Sequence, residues 1–125
     1  KKLSGYLASA KKRLKDDRLT TPKGDNAYHY YHKALRIDPT NNSAKSGLKN
    51  IADRYAVLTS AAVSRYDHAK ASMYLTRGLK VDPSHKRLRS LRTKVRAIDT
   101  PSKRFIKQVK EQPKRMVNKI ENLLD

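Results

Sequence analysis

One nine-residue pattern occurs twice in the chain and ends both times in Asp-Pro. The first copy covers residues 31–39, YHKALRIDP, and the second covers residues 75–83, LTRGLKVDP. Each copy begins with a bulky residue, followed three positions later by a small residue and then by a leucine. These three positions lie on one face of a helix. Proline lacks an amide donor and disfavours helix in the preceding residue, so both helices are predicted to end at Asp38 and Asp82. A chain with this repeat is predicted to be built from helical units.

Apolar stripes of helical period extend on both sides of the repeat. Residues 3–14 predict a first helix, and the turn TTPKGD at 20–25 separates it from the helix that ends before Pro39. A third stripe of about twenty residues, then a fourth and a fifth, lead to residue 98. Side chains suited to helix N-caps precede these helices, namely Asp25, Asn42 or Ser43, Asp67, and Ser84. The predicted fold is therefore all-α, with two antiparallel helical hairpins and a fifth, capping helix.

Residues 101–125 form a separate, basic segment. Its apolar positions, including Phe105, Val109 and Ile120, repeat with helical spacing, and Pro113 divides it into two short helices. We therefore predict a helical repeat domain over residues 1–100 and an amphipathic C-terminal helical segment over residues 101–125. This segment either packs on the repeats as a cap or binds a partner or a membrane surface.

The repeated helices resemble the second helix of a tetratricopeptide repeat. In that family a small residue allows close packing, a bulky residue follows four positions later, and then come a small residue and a closing proline. The residues that fill this series are Ala27, Tyr31, Ala34 and Pro39 in the first unit, and Ala71, Leu75, Gly78 and Pro83 in the second. On the family's frame, the large positions of the preceding helix are Tyr55, Leu58 and Ala62. The resemblance covers residues 3–98 and implies stacked hairpins whose groove accepts a peptide or a partner helix.

Three features depart from that family. The two prolines lie 44 residues apart rather than about 34, Thr59 occupies a position where the family prefers Gly or Ala, and the turn at 20–24 is longer than usual. Some relatives grip a terminal carboxylate with Lys and Asn. The matching positions here lack both residue types and are Asp53, Ala56, Ser60, Val63 and Ser64. That clamp is therefore not expected.

A second resemblance concerns the first turn. The run LTTPKGDNA at 19–27, with IADRY at 51–55, is similar to a variant hairpin repeat of bacterial envelope proteins, which often lie beyond a membrane anchor. This resemblance implies a bacterial, extracytoplasmic location within a longer, anchored parent protein.

The chain is strongly basic, with 30 Lys and Arg against 11 Asp and Glu and a formal charge of +19. A field of this sign attracts acidic proteins, nucleic acid, anionic lipid and acidic polymers. The densest cluster is opposed only by Asp99 and comprises Lys86, Arg87, Arg89, Arg92, Lys94, Arg96, Lys103, Arg104, Lys107 and Lys110. Like charges at i and i+4, as at Arg92 and Arg96, destabilise a helix, so this one-signed face indicates an anionic partner.

Residue types and spacings argue against catalysis. The chain has no cysteine and no Gly-x-Ser-x-Gly elbow, and its 4 glycines form no phosphate-binding loop. His29 and His32 have a spacing that can hold a metal, but no third strong ligand accompanies them, and hairpin packing is the better interpretation. No apolar run approaches the length of a membrane span. We predict that the protein is not an enzyme and uses no cofactor or metal.

The sequence therefore predicts a non-catalytic interaction scaffold that recognises an acidic protein partner. The alternative is a binder of a non-protein polyanion, such as nucleic acid, anionic lipid or a cell-wall polymer, through the basic face of residues 86–110. No nucleic-acid recognition motif is present. Tyr6, Tyr31 and Tyr55 are interpreted as packing residues, whereas Tyr28, Tyr66 and Tyr74 are left open as stacking platforms.

Overall fold

The computed structural model describes residues 2–98, and these residues form five α-helices. The helices are α1 (Lys2–Lys15), α2 (Ala27–Ile37), α3 (Asn42–Ser64), α4 (His68–Val81) and α5 (Lys86–Ile98). No β-strand occurs within this range, so the all-α prediction is confirmed. The predicted segment 101–125 lies outside the described residues.

The helices pack as two hairpins and a fifth helix. Helix α1 packs against α2, and α3 packs against α4 in the most extensive interface of the fold. The long helix α3 lies between α1 and α5, and α5 contacts both α3 and α4. This is the predicted arrangement of two hairpins and a capping helix.

Most residues that the repeat pattern selected lie in the core. The buried ones are Ala27, Tyr31, Ala34, Tyr55, Ala62, Ala71, Leu75 and Gly78. Leu58 is half-buried and packs against this core. Pro39 and Pro83 are exposed, so they end helices rather than fill space.

The two Asp-Pro connections have the same geometry 44 residues apart. The Asp38 amide donates to Ala34 O and the Asp82 amide donates to Gly78 O, each at 2.9 Å. Each aspartate then accepts hydrogen bonds from the amide and hydroxyl of the residue two positions on, Thr40 or Ser84. The repeat seen in the sequence is therefore a structural repeat.

The residues that cap α3 and α5 differ from those predicted. Asn41, and neither Asn42 nor Ser43, accepts the Ala44 amide at 2.9 Å. At α5 the equivalent acceptor is His85 Nδ1, which receives the Leu88 amide at 3.2 Å. Ser84 does not cap α5: its hydroxyl donates to the Asp82 carboxylate, and the Leu88 amide is received by the His85 ring instead. The serine side chain is thus part of the Asp-Pro turn, and the residue that follows it, His85, caps α5.

Helices α1 and α3 also end alike, each in a Schellman-type turn with a non-glycine residue at positive φ. Asp17 and Tyr66 both have φ 58°. The bonds that close these turns run from the amide of the next residue to the carbonyl five positions back, at 2.8 Å for Arg18 and 3.0 Å for Asp67. A left-handed tyrosine costs about 1 kcal/mol, so the surrounding turn must hold it there.

Beyond these turns the two hairpin connections diverge. Residues 65–67 join α3 to α4 directly, and Asp67 caps α4 by accepting the Lys70 amide at 3.1 Å, as predicted. Residues 16–26 form a longer connection between α1 and α2, in which Asn26 is the cap and accepts the His29 amide at 2.8 Å. The prediction that Asp25 caps α2 is wrong, because that carboxylate binds α1 and the connection itself.

The interfaces that follow the two Asp-Pro helices are filled in opposite ways. In the first, Gly47 of α3 lies so close to the Tyr31 ring that an added Cβ would be 2.1 Å from Cζ. In the second, Gly78 of α4 lies under Leu88, where an added Cβ would be 2.7 Å from Cδ1. Each interface therefore depends on one glycine, but the glycine lies on opposite partners.

Candidate anion-binding surfaces

The acidic residues between 2 and 98 are all aspartates, and Asp53 is the only one that lies in a helix. Asp25 receives Arg13 Nε at 2.9 Å, Arg18 at 2.6 Å and the Tyr30 hydroxyl at 3.2 Å. The Arg13 hydrogen bond is the main cause of a lowered pKa at Asp25. This carboxylate therefore joins the connection to α1 and is not available to surface cations.

Further aspartates are also held by internal partners. Arg54 of α3 donates to both carboxylate oxygens of Asp17 at 2.8 Å, and this hydrogen bonding lowers the pKa of Asp17. Asp53 lies 2.6 Å from His85 Nε2. Since His85 Nδ1 accepts the Leu88 amide, the proton of a neutral ring is on Nε2 and points to Asp53. Negative charge is consequently used to connect helices, which leaves many basic side chains without a carboxylate.

Helix α5 shows this imbalance most strongly. Its inner face buries Leu88, Leu91, Val95 and Ile98. Its predicted basic residues are all exposed and comprise Lys86, Arg87, Arg89, Arg92, Lys94 and Arg96. No carboxylate of residues 2–98 forms an ion pair with any of them. The other predicted members, Lys103, Arg104, Lys107 and Lys110, lie outside the described residues.

A small polar groove lies between α1 and the first turns of α3. It has a volume of about 330 Å³ and is lined by Lys11, Leu14, Tyr31, Asn42, Ser43, Ser46, Gly47 and Asn50. Its hydroxyl and amide groups can both donate and accept hydrogen bonds, which is the chemistry of a peptide backbone. This groove is not predicted by the sequence, because Ser and Asn on a helix usually indicate only a solvated face.

A larger groove runs along α2 beside the connection at 20–26. Its volume is about 580 Å³, and it is lined by Thr20, Lys23, Gly24, Asn26, Tyr28, His29, His32, Lys33, Leu35 and Arg36. The Tyr28 and His32 rings contact each other with centroids 4.2 Å apart. Burial, and then the charge of Arg36, lower the pKa of His32. The sequence suggested His29, His32 and Tyr28 separately, but it gave no sign that Lys23 and Arg36 join them.

The tyrosines and histidines have different surroundings. Tyr31 and Tyr55 are buried, and the Tyr55 hydroxyl is hydrogen-bonded to Thr20. Tyr28, Tyr66 and Tyr74 are partly buried and pack against the core. The part of the chain that the structure describes has no group of three His, Cys, Asp or Glu side chains able to hold a metal ion. Among α1 to α5, none is long and apolar enough to cross a membrane.

In comparisons with known proteins, no family model, curated protein or solved structure matches this chain.

Proposed function

We propose that the protein is a non-catalytic adaptor of tetratricopeptide-like hairpins that binds an acidic segment of a partner protein. The observation that carries this proposal is the outer face of α5, where six exposed Lys and Arg side chains have no carboxylate partner within residues 2–98. Like charges on one helix face repel each other, and an acidic partner would relieve that repulsion. A bacterial envelope location remains a prediction from resemblance.

A protein partner is favoured over other polyanions by the groove beside α3. Ser43, Ser46 and Asn50 offer hydrogen-bonding groups suited to a peptide backbone, and Lys11 adds a cation at the α1 side. The α3 helix connects this groove to α5, because Asp53 lies further along α3 and contacts His85. An extended acidic segment could therefore pair its backbone with α3 and its carboxylates with α5.

The test is charge reversal on α5 with a charge-matched control on α4. The double variant Arg89→Glu/Arg92→Glu changes two exposed residues on one side of α5, and Lys70→Glu/Lys80→Glu changes two exposed residues of α4. Binding to a fluorescent glutamate-rich peptide is measured by anisotropy at two salt concentrations. We expect at least about a tenfold loss for the α5 variant and a much smaller one for the control, since the net charge change is equal.

Two results would oppose this function. Equal losses in the two variants would show that only net charge matters and that α5 is not a site. Tighter binding of a single-stranded oligonucleotide or of phosphatidylglycerol vesicles, at equal ligand charge and salt, would instead support the polyanion alternative. Circular dichroism of each variant checks that the helices are retained.

A further inference from the structure

We propose that the groove between the 20–26 connection and α2 binds a small molecule carrying a phosphate monoester. The positive residues along it are Lys23, Lys33 and Arg36, and two imidazoles, His29 and His32, accompany them. None of the groove-lining residues that the structure describes is acidic. This site is separate from α5 and does not depend on the adaptor function.

The acidic side chain that adjoins the groove residues in sequence is held by other partners. Asp25 lies between two groove residues in sequence, but its carboxylate is held by Arg13 and Arg18 at 2.9 and 2.6 Å and by the Tyr30 hydroxyl. These partners belong to α1, to the connection at 16–26 and to α2, respectively. The side chain most able to neutralise Lys23 is therefore engaged elsewhere, which leaves the groove positive.

The wall of the groove is held in place before any ligand binds. The Ala27 and Tyr28 amides donate to Arg18 O and Leu19 O at 2.8 and 2.9 Å, and Asn26 Nδ2 donates to Pro22 O at 2.8 Å. The backbone donors at the start of α2 are thus already used, so recognition must come from side chains. A preformed wall reduces the ordering that a ligand must impose.

The cations suit a phosphate dianion. Arg36 offers a planar fork of donors that matches phosphate oxygens, and Lys23 adds a mobile point charge from the connection. Lys33 contributes less, because its ammonium lies 5.6 Å from the centre of the Tyr6 ring. The volume of about 580 Å³ suits a ligand of sugar-phosphate or nucleotide size.

His32 provides an internal reporter of such binding. The groove around it is lined by Tyr28, His29, Lys33 and Arg36 of α2 and by Lys23 of the connection, and the Tyr28 ring contacts the His32 ring. Burial and Arg36 lower its pKa in the free protein. A bound phosphate dianion would oppose the Arg36 charge and raise that pKa, so protonation of His32 should strengthen binding as long as the ligand remains a dianion, above its second pKa of about 6.

The first test is a proton NMR titration of the imidazoles with adenosine monophosphate, ribose 5-phosphate, inorganic phosphate and uncharged adenosine. His68 and His85 lie outside the groove and serve as controls within the same molecule. We expect the phosphate-containing probes to raise the pKa of His32 by about one unit and to saturate at one equivalent. Equal shifts at all histidines, or an equal effect of adenosine, would overturn the proposal.

The second test uses neutral variants. Lys23 and Arg36 are exposed, so Lys23→Gln and Arg36→Gln should fold normally, and Lys45→Gln on the exposed face of α3 is the control. Isothermal titration calorimetry with adenosine monophosphate should show about a tenfold weaker affinity for Arg36→Gln, because a forked charge-assisted pair is lost. A similar loss for Lys45→Gln would show general attraction to a basic surface and would contradict a defined site.

Discussion

The α2·α3 and α4·α5 interfaces occupy the same place in the two repeats but divide their volume differently. Tyr31 meets Gly47 in the first. The residues 44 positions later are Leu75 and Leu91, both buried, so the second repeat has two medium-sized side chains where the first has a tyrosine and a glycine. The same helix arrangement is therefore formed with different side chains at matching positions.

Gly47→Ala should break this balance with the largest effect. The added Cβ would lie 2.1 to 2.5 Å from three atoms of the Tyr31 ring, which is rigid and only 2% exposed. Overpacking should lower the free energy of unfolding by about 3 kcal/mol, which exceeds the gain of about 1 kcal/mol from helix propensity. Urea unfolding followed by circular dichroism measures the change.

The matched control is Gly5→Ala in α1, where an added Cβ meets nothing within 4 Å. This substitution should stabilise the protein by up to about 1 kcal/mol. Tyr31→Leu introduced into the Gly47→Ala protein should recover part of the loss, because the pair then approaches the leucine pair of the second interface. A purely additive double variant would show that the Tyr31 contact is not the cause.

Gly78→Ala is the corresponding test of the second interface, where the glycine lies on α4 and the large side chain on α5, and its expected effect is smaller. The new Cβ would lie 2.7 Å from Leu88 Cδ1 and 2.9 Å from Tyr55 Cβ. The leucine end can rotate away, whereas the tyrosine Cβ can shift only with its helix. We expect a loss of about 1 to 2 kcal/mol in the same urea assay. A loss equal to that of Gly47→Ala would mean that side-chain rigidity does not determine the difference.

The two hairpin connections should also differ in their response to acid. The folded-state pKa values of Asp17 and Asp25 are lowered, mainly by hydrogen bonds from Arg54 and Arg13. Their stabilisation is therefore present above the unfolded pKa of about 4 and is lost as the pH falls through the lower folded values. Asp17→Asn and Asp25→Asn should each reduce the fall in urea midpoint between about pH 5 and pH 3.

Asp67→Asn is the control in the short connection, because asparagine caps a helix as well as aspartate does. The variant keeps a cap and removes one carboxylate from the short connection, so its urea midpoints at the same pH values show how much acid dependence is specific to the long connection. If it flattened the profile as much as Asp25→Asn, the long connection would have no special role in acid stability.

The sequence was sufficient for the helices because their signals are local. Apolar spacing and Asp-Pro place α2 and α4 directly, and Asp67 is a correct cap because its loop is short. The errors at Asp25 and Ser84 arise because each side chain is hydrogen-bonded to a group other than the expected helix amide. Ser84 donates to Asp82. Asp25 accepts from Arg13, which lies twelve positions before it and is not indicated by the local sequence.

The candidate surfaces were only partly accessible from sequence. The basic residues of α5 could be named because they are consecutive and one-signed. The groove between the 20–26 connection and α2 could not be predicted. It forms only when the connection packs against α2 and when Asp25 pairs with Arg13 of α1. The contact between Asp53 of α3 and His85, just before α5, could not be predicted either, because the two residues are 32 positions apart and no local pattern indicates it.

The placement of aspartates between helices has a consequence for how this protein can be altered. Aspartates in the connections bind the helices through hydrogen bonds. In the part of the chain described, the exposed basic residues of α5 form no ion pair that holds the fold together. Surface charge and fold are therefore separable traits. Substitutions on α5 can change the surface charge over a wide range without redesign of the scaffold, and neutral ones should even relieve self-repulsion.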